Sequence, residues 1–160
     1  MRSLNRKFAV AVVLTLGAAG FSLAYAEDMV LYATPGYLEG LRTKEMMHRI
    51  DTNKDGSVSK DEWRAYQEKV FVALDKDKDG FLETSEFYGP SNNTVIPFAT
   101  LAYAQGLMTK EMFGKIDADG DGKISKDEYL NFQMKIFDMM DTHKKQQLSV
   151  ADFIVQKPAY

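Results

Sequence analysis

The sequence predicts an all-α protein of four helix–loop–helix units, made by an internal duplication and packed as one compact domain. Three observations predict it. Residues 33–87 and 99–153 align at an offset of 66 with 24 identities in 55 positions, far above chance. Inside each half, two 12-residue acidic segments open 24 residues apart, at Asp51 and Asp75 and again at Asp117 and Asp141. Finally, the same apolar frame flanks all four segments.

Residues 1–26 are expected to be a cleaved signal peptide rather than part of the fold. Arg2, Arg6 and Lys7 give a positive start, residues 8–19 are apolar, and Ala24-Tyr25-Ala26 forms a small-x-small cleavage site. A signal anchor competes for the uncharged run 8–26, but Gly17, Gly20 and Ser22 dilute that run. Cleavage directs the chain to the bacterial periplasm or the exterior, with no membrane attachment afterwards. The net charge of -3, less the three positive charges of that segment, becomes -6 on the remaining 134 residues, 27–160.

Composition excludes several chemistries. With no cysteine, the chain can form neither a disulfide scaffold nor a thiolate zinc site, iron–sulfur cluster or cysteine nucleophile. A pI near 5.4 argues against a nucleic-acid partner, which selects a basic face. No nucleophile–base–orienter set, phosphate-cradling glycine run or HExxH is present, so enzymatic activity has no residues to rest on. His48 and His143 are expected in solvent, as is the Lys144-Lys145 pair.

The first repeat (33–87) carries DTNKDGSVSKDE at 51–62 and DKDKDGFLETSE at 75–86. A linker over 88–98 follows, marked as a loop by its glycine, two prolines, serine and asparagines. The second repeat (99–153) carries DADGDGKISKDE at 117–128 and DTHKKQQLSVAD at 141–152. The first three segments place oxygen side chains at positions 1, 3, 5, 9 and 12, with glycine at 6 and an aliphatic residue at 8. This resembles the EF-hand family, in its calmodulin-like calcium-binding form, over nearly all of residues 43–153.

The resemblance implies Ca²⁺ as the ion and assigns ligands residue by residue. In loop 1 they are Asp51, Asn53, Asp55, the Ser57 carbonyl, Ser59 and Glu62; in loop 2, Asp75, Asp77, Asp79, the Phe81 carbonyl, Glu83 and Glu86. In loop 3 they are Asp117, Asp119, Asp121, the Lys123 carbonyl, Ser125 and Glu128. Alternating ligands surround one ion only if the chain turns sharply, which glycine at position 6 permits; a bidentate glutamate at 12 completes the six to eight oxygens Ca²⁺ prefers. Mg²⁺ or a lanthanide are alternative occupants of such an oxygen cage. Side-chain carboxylates number three, five and four in loops 1, 2 and 3, which ranks loop 2 first in pull, loop 3 next and loop 1 last.

Loop 4 breaks the pattern. His143 and Lys145 stand at positions 3 and 5, Gln146 replaces the glycine, and Asp152 replaces the longer glutamate. Its apolar frame survives, however. The residue four before each loop is Met47, Phe71, Phe113 or Phe137, and the one just before is Ile50, Leu74, Ile116 or Met140. Position 8 is Val58, Leu82, Ile124 or Leu148, and the residue after each loop is Trp63, Phe87, Tyr129 or Phe153. Loop 4 is therefore expected to fold like the others without holding metal.

Only twelve residues separate loops 1 and 2, and loops 3 and 4. One helix near 60–74 must leave loop 1 and enter loop 2, and 15 residues at 1.5 Å place those loops about 22 Å apart. Each loop should then pair with one from the other half, as 1–3 with 2–4 or as 1–4 with 2–3. The close spacing is similar to that of lanmodulin, a periplasmic lanthanide binder, which implies lanthanide binding as the second reading. Its prolines at loop position 2 are missing here, where Thr52, Lys76, Ala118 and Thr142 stand.

The methionines Met46, Met47, Met112, Met134, Met139 and Met140 admit two readings. They line either a groove that opens to a protein partner on Ca²⁺ binding, as in sensors, or ordinary core, and core is favoured. Trp63, Tyr66, Tyr129 and Phe132 recur after loops 1 and 3 and are expected to pack as core.

Overall fold

The computed structural model describes residues 32–89 and 96–154. The proposed signal segment 1–26 lies outside them, as does 90–95 of the linker. Among the described residues no helix is long and apolar enough to cross a membrane.

Each half runs helix, helix, loop, helix, loop, short helix. The first half is α1 (Pro35–Leu41), α2 (Lys44–Ile50), β1 (Ser57–Ser59), α3 (Lys60–Leu74), β2 (Phe81–Leu82) and α4 (Thr84–Phe87). The second half repeats it as α5 (Leu101–Leu107), α6 (Lys110–Ile116), β3 (Ile124–Ser125), α7 (Lys126–Met140), β4 (Gln147–Ser149) and α8 (Val150–Phe153). Local chemistry sets these bounds. Thr34, Thr43, Thr100 and Thr109 each accept a backbone N–H three residues on, which starts α1, α2, α5 and α6. Ser59 with Glu62, and Ser125 with Glu128, form reciprocal capping boxes that start the two long helices. The long helix expected between loops 1 and 2 spans the expected residues.

The strands settle the pairing that spacing left open. β1 runs antiparallel to β4 with Val58 opposite Leu148, and β2 antiparallel to β3 with Leu82 opposite Ile124. Loop 1 is therefore joined to loop 4, and loop 2 to loop 3. A 15-residue helix holds loops of the same half at opposite ends, so every ladder crosses between halves. All sixteen frame residues are buried, from Met47 and Ile50 through to Leu148 and Phe153. Trp63, Tyr66, Tyr129 and Phe132 are buried as expected.

Beyond the loops, the halves lock through contacts that obey the same twofold repeat. The Tyr37 hydroxyl donates to Gln133 on α7, and the Tyr103 hydroxyl to Gln67 on α3 (2.9 Å), with Tyr129 also donating to Gln67. The Met112 sulfur accepts from the Thr34 N–H, and the Met46 sulfur from that of Thr100, both at 3.4 Å.

Helix α1 packs along α5 at backbone contact. A Cβ on Gly106 would lie 2.4 Å from the Gly36 carbonyl oxygen and 2.7 Å from the Tyr37 Cα, and neither can yield without moving the helix. Gly106→Ala is accordingly expected to cost about 1–3 kcal/mol in denaturant unfolding. Gly36→Ala, whose Cβ would meet nothing within 4 Å, should leave stability unchanged or slightly raised.

Candidate metal centres

Loops 1, 2 and 3 share one hydrogen-bond plan, in which the side chains at positions 1, 3, 5 and 12 accept from backbone N–H groups. At position 1, Oδ2 of Asp51, Asp75 and Asp117 accepts from Gly56, Gly80 and Gly122 at 3.0, 3.2 and 3.1 Å. At position 3, Asn53, Asp77 and Asp119 accept from the N–H two residues on at 2.9, 3.1 and 3.1 Å. At position 5, Asp55, Asp79 and Asp121 accept from Ser57, Phe81 and Lys123, each at 2.8 Å. Side chains at 1, 3 and 5 are thereby turned to the same side of the loop.

The glutamate at position 12 closes each loop. Glu62 Oε1 accepts from the N–H groups of Thr52 and Asn53, while Oε2 accepts from Ser59. Glu86 and Glu128 repeat this from positions 2, 3 and 9 of their own loops. Burial alone would raise the Glu62 and Glu128 carboxyls. The hydrogen bonds from Ser59, Asn53 and Thr52, and from Ser125, Ala118 and Asp119, outweigh it and hold both below the ordinary value. Asp55 is held down chiefly by Ser57.

The resulting oxygen clusters have the dimensions of a cation site. Ligand atoms of Asp75, Asp77 and Glu86 lie within 4.8 Å of one another, as do those of Asp77, Asp79 and Glu83, and those of Asp117, Asp119 and Glu128. An ion bonded at 2.3–2.6 Å spans about that distance between opposite oxygens. Loop 1 gathers no such carboxylate trio among the described residues, in keeping with its neutral Asn53 at position 3.

Buried oxygens supply the stricter test. Asp51 Oδ1 and Asp75 Oδ1 are buried with no hydrogen-bond partner in the protein. A buried carboxylate oxygen without a partner is costly, and a cation is a partner that fits the remaining donor set. In loops 3 and 4 the equivalent aspartate has both oxygens engaged: Asp117 accepts from Gly120 at 2.8 Å and from Gly122 at 3.1 Å, and Asp141 from Lys145 at 2.9 Å and from Gln146 at 2.7 Å.

Loop 4 keeps the fold of the others at a cost. Positions 4 and 6 have positive φ throughout, with position 6 at 84°, 88° and 87° in Gly56, Gly80 and Gly122 but at 59° in Gln146. Gln146 thus adopts a conformation that a side chain disfavours. Asp152 accepts from Ser149 at 2.8 Å but is one methylene too short to reach the N–H groups of 142 and 143. Exposed His143 stands 4.0 Å from Asp152 Oδ1, where the other loops present an oxygen side chain.

These features agree with the comparisons to known proteins. A family profile described as an EF-hand domain pair matches residues 64–134, and one described as an EF hand matches 43–65. The four units are EF-hands. Calcium-binding protein A of Dictyostelium discoideum is 30% identical over 105 residues, covering 58% of this chain and 65% of that protein. Calcium-binding protein CP1 of Arabidopsis thaliana is 32% identical over 90 residues, covering 48% of this chain and 56% of that protein. The matches therefore span less than two thirds of either relative's own length. No solved structure matches significantly.

The EF-hand methionines Met46, Met47, Met112 and Met140 are buried, and Met134 and Met139 are half-buried against the same core. In this structure they are core, the favoured reading. Tyr37, Gln67, Tyr103 and Gln133 belong to no loop motif in the sequence. Their identity across the 66-residue offset was the available signal, since a buried Tyr–Gln pair must be kept in both halves for the twofold network to close.

Proposed function

We propose that this protein binds Ca²⁺ through three EF-hand loops and uses the fourth only as structure, and that it does so in the periplasm or outside the cell. The observation that carries the calcium reading is the gathering of oxygens in loops 2 and 3, where Asp75, Asp77 and Glu86, and Asp117, Asp119 and Glu128, lie within 4.8 Å of one another, while loop 4 has His143 and Lys145 at positions 3 and 5. In loops 1 and 2, Asp51 and Asp75 each also keep a buried oxygen without a hydrogen-bond partner. The relatives' names, which describe calcium-binding proteins, support the choice of ion. The exported location rests on Arg2, Arg6, Lys7, the apolar run and the Ala24-Tyr25-Ala26 box.

A bound Ca²⁺ supplies positive charge and accepts six to eight oxygen ligands. The chain's own residues do the rest. Backbone N–H groups hold the aspartates at 1, 3 and 5 in one direction. Glu62, Glu86 and Glu128 tie the start of each loop to the helix that leaves it, so ligation and helix packing are one event. The buried methionines support a calcium-stabilised module over a sensor, because the loops are closed while the methionine surface is covered. Neither mode needs a catalytic residue.

A comparative titration tests this reading. Circular dichroism and a surface-hydrophobicity dye are followed on the apo protein with Mg²⁺, Ca²⁺ and La³⁺. The stabilised module predicts folding on Ca²⁺ without added dye signal; a dye signal that rises with Ca²⁺ would instead establish a sensor. Response to La³⁺ at concentrations far below any response to Ca²⁺ would replace calcium by a lanthanide. Glu86→Gln should remove about a third of the Ca²⁺-induced rise in stability, while Asp152→Gln should leave that rise intact. Equal losses in thermal melts would contradict the assignment of loop 4.

A further inference from the structure

Lys123 contributes more than the backbone carbonyl assigned to it. Its ammonium lies 2.7 Å from Glu83 Oε1 and 3.8 Å from Asp79 Oδ2, so a side chain of loop 3 sits against the ligand cluster of loop 2. The placement follows from the strand register. β2 and β3 pair Phe81 with Ser125 and Leu82 with Ile124, and one step further sets position 7 of loop 3 opposite position 9 of loop 2. The stem is fixed as well, with the ammonium 5.3 Å from the centre of the Phe81 ring.

The other loop pair provides an internal comparison. β1 and β4 set Ser59, at position 9 of loop 1, opposite Gln147, at position 7 of loop 4. That pair is neutral. The charged version occurs at the loop with the most acidic ligand set, five carboxylates, and it engages one of the two acids, Glu83, that distinguish loop 2 from loop 1 at the same positions.

We infer that Lys123 is a built-in counter-cation that sets the affinity and charge selectivity of loop 2 from across the ladder. It neutralises the acid at position 9, so that loop 2 meets an incoming ion with the effective charge of a four-carboxylate site, like loop 3. It also relieves repulsion among Asp77, Asp79 and Glu83 in the metal-free loop, whose ligand oxygens lie within 4.8 Å of one another. Both effects oppose cation uptake. The penalty scales with the charge of the ion, so it falls harder on a trivalent ion than on a divalent one.

This inference rests on loop 2 being a cation site, and the experiment separates the two claims. Isothermal titration with Ca²⁺ and with La³⁺ compares the unaltered chain, Lys123→Met and Lys123→Arg. The methionine keeps the length of the side chain and the backbone carbonyl while removing the charge. In Lys123→Met, one of the sites should tighten about fivefold for Ca²⁺ and about tenfold for La³⁺ at low salt, and less as salt rises. Lys123→Arg should behave as the unaltered chain, and adding Glu86→Gln should abolish the gain. If the unaltered chain takes up ions and Lys123→Met leaves every affinity within twofold, the inference is overturned while the calcium reading stands. If the unaltered chain takes up neither ion, both fall together.

Discussion

Withdrawing Ca²⁺ with a chelator is expected to remove about 8 kcal/mol of stability from this protein. The figure is the three proposed sites at about 2.7 kcal/mol each, for free ion at about 100 times the dissociation constant. Small domains have only about 5–15 kcal/mol in total, so the chelated chain should be marginal or unfolded. The physical cause lies in the loops. Carboxylates that backbone N–H groups turn to one side repel one another when no cation offsets them, and Asp51 and Asp75 each bury an oxygen that lacks any other partner. The chain has no cysteine, so no disulfide substitutes for the missing cross-links. Melts followed by circular dichroism, with chelator and with saturating Ca²⁺, measure the difference. Coincident melts would show that the loops fold without regard to the ion.

Trp63→Ala should be the most damaging single core substitution outside the ligand sets, at about 3–5 kcal/mol. Trp63 is 0% exposed and follows loop 1 directly, at the start of α3. Its indole N–H donates to the Gln133 carbonyl of α7 at 2.9 Å, and its ring packs edge-on to Phe137 at 5.7 Å and tilted against Phe153 at 6.4 Å. It thus connects the exit of loop 1 to both helices that frame loop 4. Urea unfolding at saturating Ca²⁺ tests the magnitude. Because loops 2 and 3 lie at the other ends of the long helices, their ion binding should persist in the variant under conditions where it is folded. A loss below 1 kcal/mol would mean that the loop 1–loop 4 end is not packed as described.

Much of this architecture was legible in the sequence because a single residue often serves two purposes. Ser59 and Glu62 are loop positions 9 and 12, and they are also the capping box that starts α3, so locating the loop located the helix. The sixteen frame residues were readable for the same reason, since loop spacing fixes which face of each helix meets the core. The loop pairing was not readable. Val58, Leu82, Ile124 and Leu148 are all aliphatic, so side-chain type at position 8 does not choose a partner, and only the packing of α3 against α7 does.

The Tyr37–Gln133 and Tyr103–Gln67 bonds were hidden by distance, since they join residues 96 and 36 positions apart. Lys123 was legible only through its backbone carbonyl oxygen at position 7. Its second role depends on a strand register that brings loop 3 against loop 2, a relation that a separation of 40 positions conceals. Ile96 is buried although it belongs to a segment that reads as a linker, and Phe98 packs on Tyr66 at 5.5 Å, so this end of the linker closes the core.

Three loops should each hold an ion, and the fourth, folded alike, should hold none. Equilibrium dialysis of the purified protein against labelled Ca²⁺ measures this directly. Saturation is expected at three ions per chain, and still at three after Asp152→Gln. Four ions per chain, or none, would contradict it.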